Sequence, residues 1–148
     1  MRFILLALAC VTMLSGCAVA PRNLYGQYRT DFGMYVTNSG VSTFCLAPQL
    51  RFAIAALEAR FGRKVVVSSA YRNPWHNADV GGAENSFHTK CMAADIFIPG
   101  VNKSKLISAA YNERLVGGLG CYPGRSFIHI DVRQRPRGWN KPVTFSGC

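Results

Sequence analysis

The chain has 148 residues, 49% of them apolar and 16% charged, a balance that closes one hydrophobic core and excludes a disordered polyelectrolyte. Seventeen lysines and arginines against seven acids give a formal charge of +10, which favours anionic partners. With only three histidines in the chain, the position of each one is informative.

At the amino end, Arg2 precedes an apolar run from Phe3 to Leu14, which is too short to span a bilayer comfortably and suits an export signal. It leads into Leu14-Ser15-Gly16-Cys17, which resembles the lipobox of bacterial lipoproteins. The resemblance implies removal of residues 1–16, diacylglycerol on Cys17, and a membrane partner reached through several buried acyl chains. Ala18 in place of aspartate implies the outer membrane, facing the periplasm of a cell envelope. The alternative is an ordinary secretory signal with an incidental cysteine. Nucleic acid is not an expected partner of an exported chain. Oligomeric state leaves no signal. Cys10 departs with the signal, so Cys45, Cys91, Cys121 and Cys148 remain in an oxidising compartment. None of these stands in a CxxC pair, so two disulfides are expected rather than a zinc cluster, with all three pairings open.

Residues 17–44, rich in Tyr, Gly, Asn, Ser and Thr, read as a lipidated tether leading into irregular or short extended structure. The domain proper is expected over 45–148. Pro48 starts a helix with Leu50, Ile54, Leu57 and Phe61 on one face, and Gly62 ends it. Lys64 to Ser69 is β-branched and reads as a buried strand, followed by a polar loop from Tyr71 to Phe87. Met92 to Ile98 is a second strand. Asn102 to Leu115 is a helix capped by Asn102 or Ser104. Gly117 to Tyr122 and Ser126 to Arg133 form a hairpin-like pair around Pro123-Gly124, and the tail to Cys148 reads as irregular. The fold class is α+β, with a small, mostly antiparallel sheet and flanking helices.

Strand alternation separates two faces. Ala94, Ile96 and Ile98 point one way and Asp95 and Phe97 the other. Likewise Ile128, Ile130 and Val132 oppose Phe127, His129, Asp131 and Arg133. A carboxylate in so apolar a strand needs a cation or a partner. His88, on the loop seven residues before Asp95, can turn toward it. Two histidines and one carboxylate, with one position open, is how catalytic zinc is commonly held, and such a metal activates water and polarises a carbonyl. Taken singly, His88 also reads as a loop histidine, Asp95 as the partner of a buried arginine, and His129 with Asp131 as a surface pair. The tail cations Arg133, Arg135, Arg137 and Lys141 read as a solvated basic surface.

Ser69-Ala-Tyr-Arg72, then Asn77 and Gly81-Gly82-Ala83, then Ser86-x-His88-x6-Asp95, and finally Gly120-x-Tyr122 with His129-x-Asp131 together resemble the zinc D-Ala-D-Ala peptidases of bacterial cell walls. That family includes D,D-carboxypeptidases and peptidoglycan endopeptidases, and it shares its fold with the hedgehog signalling domain. The resemblance runs from Cys45 to Trp139. It implies His88, Asp95 and His129 as zinc ligands, Ser86 and Tyr122 along the substrate pocket, and Arg72 steadying substrate and oxyanion. Two positions depart from the pattern. Cys91 stands where glycine is frequent, and a disulfide there would brace the metal loop. Ser126 stands where many members carry an acid, so the general base is sought elsewhere. Asp131 is the first choice, either taking a proton from metal-activated water or orienting a ligand, with His76, Asp79 and Glu84 behind it. Trp75, Trp139 and Tyr122 are candidates for an aromatic wall. The expected function is hydrolysis of D-amino-acid peptide bonds in peptidoglycan peptides, as a carboxypeptidase or endopeptidase. The alternative is a non-catalytic zinc-bearing module that binds peptidoglycan or an envelope protein.

Overall fold

Pro48 fixes the first turn of a helix whose Leu50, Ala53, Ile54 and Leu57 form one buried stripe; in the computed structural model, which describes residues 24–148, this is α1 (Pro48–Phe61). Gly62 ends it in the left-handed conformation (φ 59°), its N–H bonded back to the carbonyl of Glu58. The other helices are the short α2 (Pro74–Asp79), capped by the Asn73 side chain, and α3 (Lys103–Asn112), capped by Asn102.

Seven strands form one sheet: β1 (Arg29–Asp31), β2 (Met34–Val36), β3 (Val66–Ser69), β4 (Ala93–Phe97), β5 (Gly118–Gly120), β6 (Ile128–Asp131) and β7 (Val143–Phe145), in the order β1-β2-β3-β4-β6-β5-β7. The architecture is α+β, but the sheet is mixed rather than mostly antiparallel, because β2–β3 and β5–β7 pair in parallel. Each parallel pair has a long connection, α1 between β2 and β3, and β6 with the segment after it between β5 and β7, where a tight turn cannot serve.

The short extended structure expected within residues 17–44 is β1 and β2, which pair as a hairpin and join the sheet, and the loop after it is tied down where Thr43 donates from its N–H and Oγ1 to Asp31 Oδ2 at 2.6 and 2.7 Å. Two segments depart from expectation. The Tyr71–Phe87 loop contains α2 and leads into a 3-10 turn, Phe87–Lys90. The tail is not irregular throughout. Val143-Thr144-Phe145 becomes an edge strand because β5 offers it a partner and a disulfide closes behind it. Residues 1–23, with the export signal and Cys17, lie outside the described residues.

Alternation along β4 and β6 works as expected. Ala94, Ile96, Ile128 and Ile130 join Leu50, Leu57 and Leu106 in the core under α1 and α3. The opposite face carries Asp95, His129 and Asp131, and the segment from Val80 to His88 lines the cleft above it.

The disulfides are Cys45–Cys91 and Cys121–Cys148. The first joins the start of α1 to the end of the His88 turn, where the Ala47 N–H also donates to the Cys91 carbonyl at 2.9 Å. Cys91 has φ 57°, in the left-handed region where an L side chain costs about 1 kcal/mol and glycine does not. That explains why glycine suits this position, and the disulfide compensates for its absence. Cys45→Ser is expected to lower unfolding free energy by about 3 kcal/mol. Cys91→Gly should lower it by about 1 kcal/mol less, since it also relieves the backbone. Urea denaturation of the two variants checks the order.

Candidate metal centre

Register brings the site together. Asp95 stands directly opposite His129 across β4–β6 and opposite Ser69 across β3–β4, while Ala93 faces Asp131. The third group arrives from the 3-10 turn. Ser86 caps that turn, its Oγ accepting from the His88 N–H at 3.3 Å, and so aims the His88 ring at the sheet. His88 Nε2, His129 Nδ1 and Asp95 Oδ1 then lie 3.1, 3.0 and 3.3 Å apart. All three residues are buried at the foot of a cleft of about 430 Å³.

The surrounding hydrogen bonds fix what these atoms present. His88 Nδ1–H donates to the Ala70 carbonyl at 2.6 Å, leaving Nε2 as a lone pair. His129 Nε2–H donates to Asp131 Oδ2 at 3.1 Å, which leaves Nδ1 facing Asp95. Asp95 Oδ2 accepts from Arg72 Nη2 at 2.8 Å, so Oδ1 turns inward. Three acceptor lone pairs converge, an arrangement that requires a cation or a proton between them. Ligand atoms held tetrahedrally at about 2.0–2.1 Å from one ion stand about 3.3 Å apart, close to the spacing here. The donor set therefore fits a metal ion, and it is the one such cluster found among the described residues.

The electrostatics agree. Burial opposes the charge on Asp95, but hydrogen bonds with His129 and His88 outweigh it and hold its carboxyl well below the usual carboxylate range. Burial likewise opposes charge on His129, yet bonds to Asp131 and Asp95 prevail and raise it above the ordinary 6.5. Asp131 is depressed to about 2, its burial outweighed by His129 and then Arg133. Without a metal, this cage stabilises a proton on His129.

Asp131 does not reach the open side of the centre, contrary to the first expectation. It is fully buried behind His129, bonded to Nε2, and the Arg133 guanidinium closes its other side. That geometry matches orientation of a ligand and leaves no path to water in the cleft. His76, Asp79, Glu84 and Ser126 are exposed and outside the cleft. Arg72, Ser86 and Tyr122 all line it. Arg72, half-buried, is also the ion partner of Asp95, its Nε donating to Ser69 Oγ at 2.8 Å.

Trp75 and Trp139 are 80% and 57% exposed and away from the cleft. Its aromatic wall is Phe87, Phe127 and Phe145 with Tyr122. The signal for this wall in the sequence is that Phe87 adjoins His88 and Phe127 shares the strand face of His129. The tail cations are only partly a solvated surface. Arg135 donates to the carbonyls of Glu113, Val116 and Asn140, and Lys141 bonds Asn112. Arg133 enters the cleft.

Comparison with known proteins adds two findings. The Peptidase M15 family profile matches residues 15–131. Among curated proteins, the chain is 38% identical over 75 residues to the peptidoglycan L,D-endopeptidase MepK of Escherichia coli, covering 47% of this chain and 41% of that protein. It is 40% identical over 74 residues to the probable peptidoglycan L,D-endopeptidase MepK of Haemophilus influenzae, covering 47% and 39%. The match spans less than half the length of these relatives.

The raised His129 has a testable consequence. A group whose pKa rises on folding adds stability that is complete below its unfolded value and is lost as pH climbs through the folded one. With chelator present, thermal stability is expected to be complete below the ordinary histidine value of 6.5 and to decline as pH rises past His129's raised value. A divalent metal ion taken up at this site should abolish the decline, because it would replace the proton. Melting curves from about pH 5 to 9, with and without chelator, measure this.

Proposed function

Because the chain belongs to the peptidase M15 family, we propose that it is a zinc-dependent peptidase cutting peptide bonds beside D-amino acids in peptidoglycan peptides, as an endopeptidase. The observation that carries this reading is the convergence of His88, Asp95 and His129 at the foot of an open cleft. The names of the MepK relatives support the polymer and the endopeptidase mode. Two imidazoles and one carboxylate suit zinc, with a position left open for substrate.

When bound, such an ion supplies Lewis-acid polarisation of the scissile carbonyl and activation of water. The chain supplies the rest. Arg72, held by Asp95 and Ser69, presents a fixed guanidinium at the cleft for the developing oxyanion. Ser86 and Tyr122, with the phenylalanine wall, position the peptide. Asp131 holds the His129 ring in one tautomer. Among the described residues, no carboxylate other than that of Asp95 lines the cleft.

That last observation favours one alternative, a zinc-bearing module that binds peptidoglycan without cutting it. We also infer from the lipobox-like Leu14-Ser15-Gly16-Cys17 that the chain is anchored through a lipid on Cys17 to the outer membrane, facing the periplasm.

Purified muropeptides incubated with the protein decide between enzyme and module. Cleavage read by mass spectrometry, lost with chelator and restored by zinc, is the expected result, whereas one bound zinc per chain without any cleavage would favour the module. Asp131→Asn is expected to lower zinc affinity about 10–100-fold, with turnover recovering at saturating zinc. If Asp131 were the base instead, turnover would stay depressed by roughly 10²–10⁴-fold however much zinc is added.

A further inference from the structure

Beyond its ion pair with Asp131, one guanidinium in the cleft keeps a free edge. Arg133 lies just beyond β6 and lines the cleft. Its Nε bonds both oxygens of Asp131, and Nη2 closes on Oδ2. One face covers the Phe87 ring at 4.4 Å, and the Phe145 ring lies 5.4 Å away. Phe145 also stands 5.4 Å from the His129 ring, which places Arg133 beside the metal centre. Nη1 donates to no acceptor among the described residues.

The backbone is cut away to seat this pair. A Cβ on Gly118, directly across from Asp131, would fall 2.3 Å from Asp131 Oδ2 and 2.5 Å from Arg133 Nε. The guanidinium is thus fixed by a carboxylate, an aromatic stack and a glycine floor, and a solvated surface cation needs none of these. Arg72 pairs with Asp95 on one side of the centre and Arg133 with Asp131 on the other, and among the described residues no further acid lines the cleft. A planar fork fixed on one edge and free on the other suits a carboxylate.

We propose that Arg133 is a specificity-determining residue, its free edge binding a carboxylate of the substrate. Peptides with an unmodified carboxylate on the residue beside the scissile bond are thereby selected over those carrying a carboxamide there. The proposal rests on the reading of the cleft as a peptide-binding site. The Asp131 pair gives Arg133 a second role as a support for His129, so the test must separate the two.

The test uses the zinc-loaded full chain in detergent and two synthetic muropeptide stems that differ only in a carboxylate or a carboxamide next to the D-centre. Affinity is measured by calorimetry, zinc content by metal analysis, and cleavage separately. The wild type is expected to prefer the acid about tenfold or more. Arg133→Gln is expected to abolish that preference with zinc still bound, and Arg133→Lys to weaken it. Should Arg133→Gln leave Asp131 uncompensated and unfold the protein, the double variant Asp131→Asn, Arg133→Gln removes both charges together and gives the same readout. Equal wild-type affinity for acid and amide, binding of neither, or an acid preference that survives in the variants each overturns the proposal. Failure to cleave either peptide, with the acid preference intact, removes the peptidase reading and leaves this one standing.

Discussion

Three lone pairs, on His88 Nε2, Asp95 Oδ1 and His129 Nδ1, face one another across 3.0 to 3.3 Å inside a buried notch. Alone they repel, and the rest of the site exists to hold them there. The Ala70 carbonyl fixes the His88 tautomer, Asp131 fixes that of His129, and Arg72 takes the outer oxygen of Asp95. Each partner removes an alternative in which the donors would turn away, so the positive charge the notch requires has one place to sit.

The scaffold follows from that demand. Placing Asp95 opposite His129 needs β4 and β6 in antiparallel register, and their other faces must then be apolar enough to hold α1 and α3. His88 has no strand to position it. It depends on the Ser86 cap, the left-handed Cys91 and the Cys45–Cys91 bridge, so the candidate ligand on the least regular element is the one tied down covalently. The second disulfide holds β7, whose Phe145 packs against both His129 and Arg133.

Much of this was legible in the sequence, for identifiable reasons. α1 and the strands holding Asp95 and His129 declare themselves by period, and Asp95 and His129 themselves by breaking an apolar alternation. Two kinds of feature escaped. β1, β2 and β7 are three-residue strands that exist only because a neighbour offers hydrogen bonds, and no local pattern encodes that. The choice between the two roles of Asp131 stayed open because alternation shows which face a residue occupies but not its depth. His129 and Asp131 share a face, yet one reaches the cleft floor and the other is sealed behind it by Arg133. Arg133 itself looked like one more tail cation, since its seat is made by Gly118 on another strand.

The central claim is that these three side chains, and no cysteine, hold the metal. An X-ray absorption spectrum of the zinc-loaded chain at the zinc edge tests it most directly. The account predicts nitrogen and oxygen neighbours at about 2.0–2.1 Å with two imidazoles and no sulfur. A sulfur shell at about 2.3 Å, or a shell lacking imidazole, would contradict it.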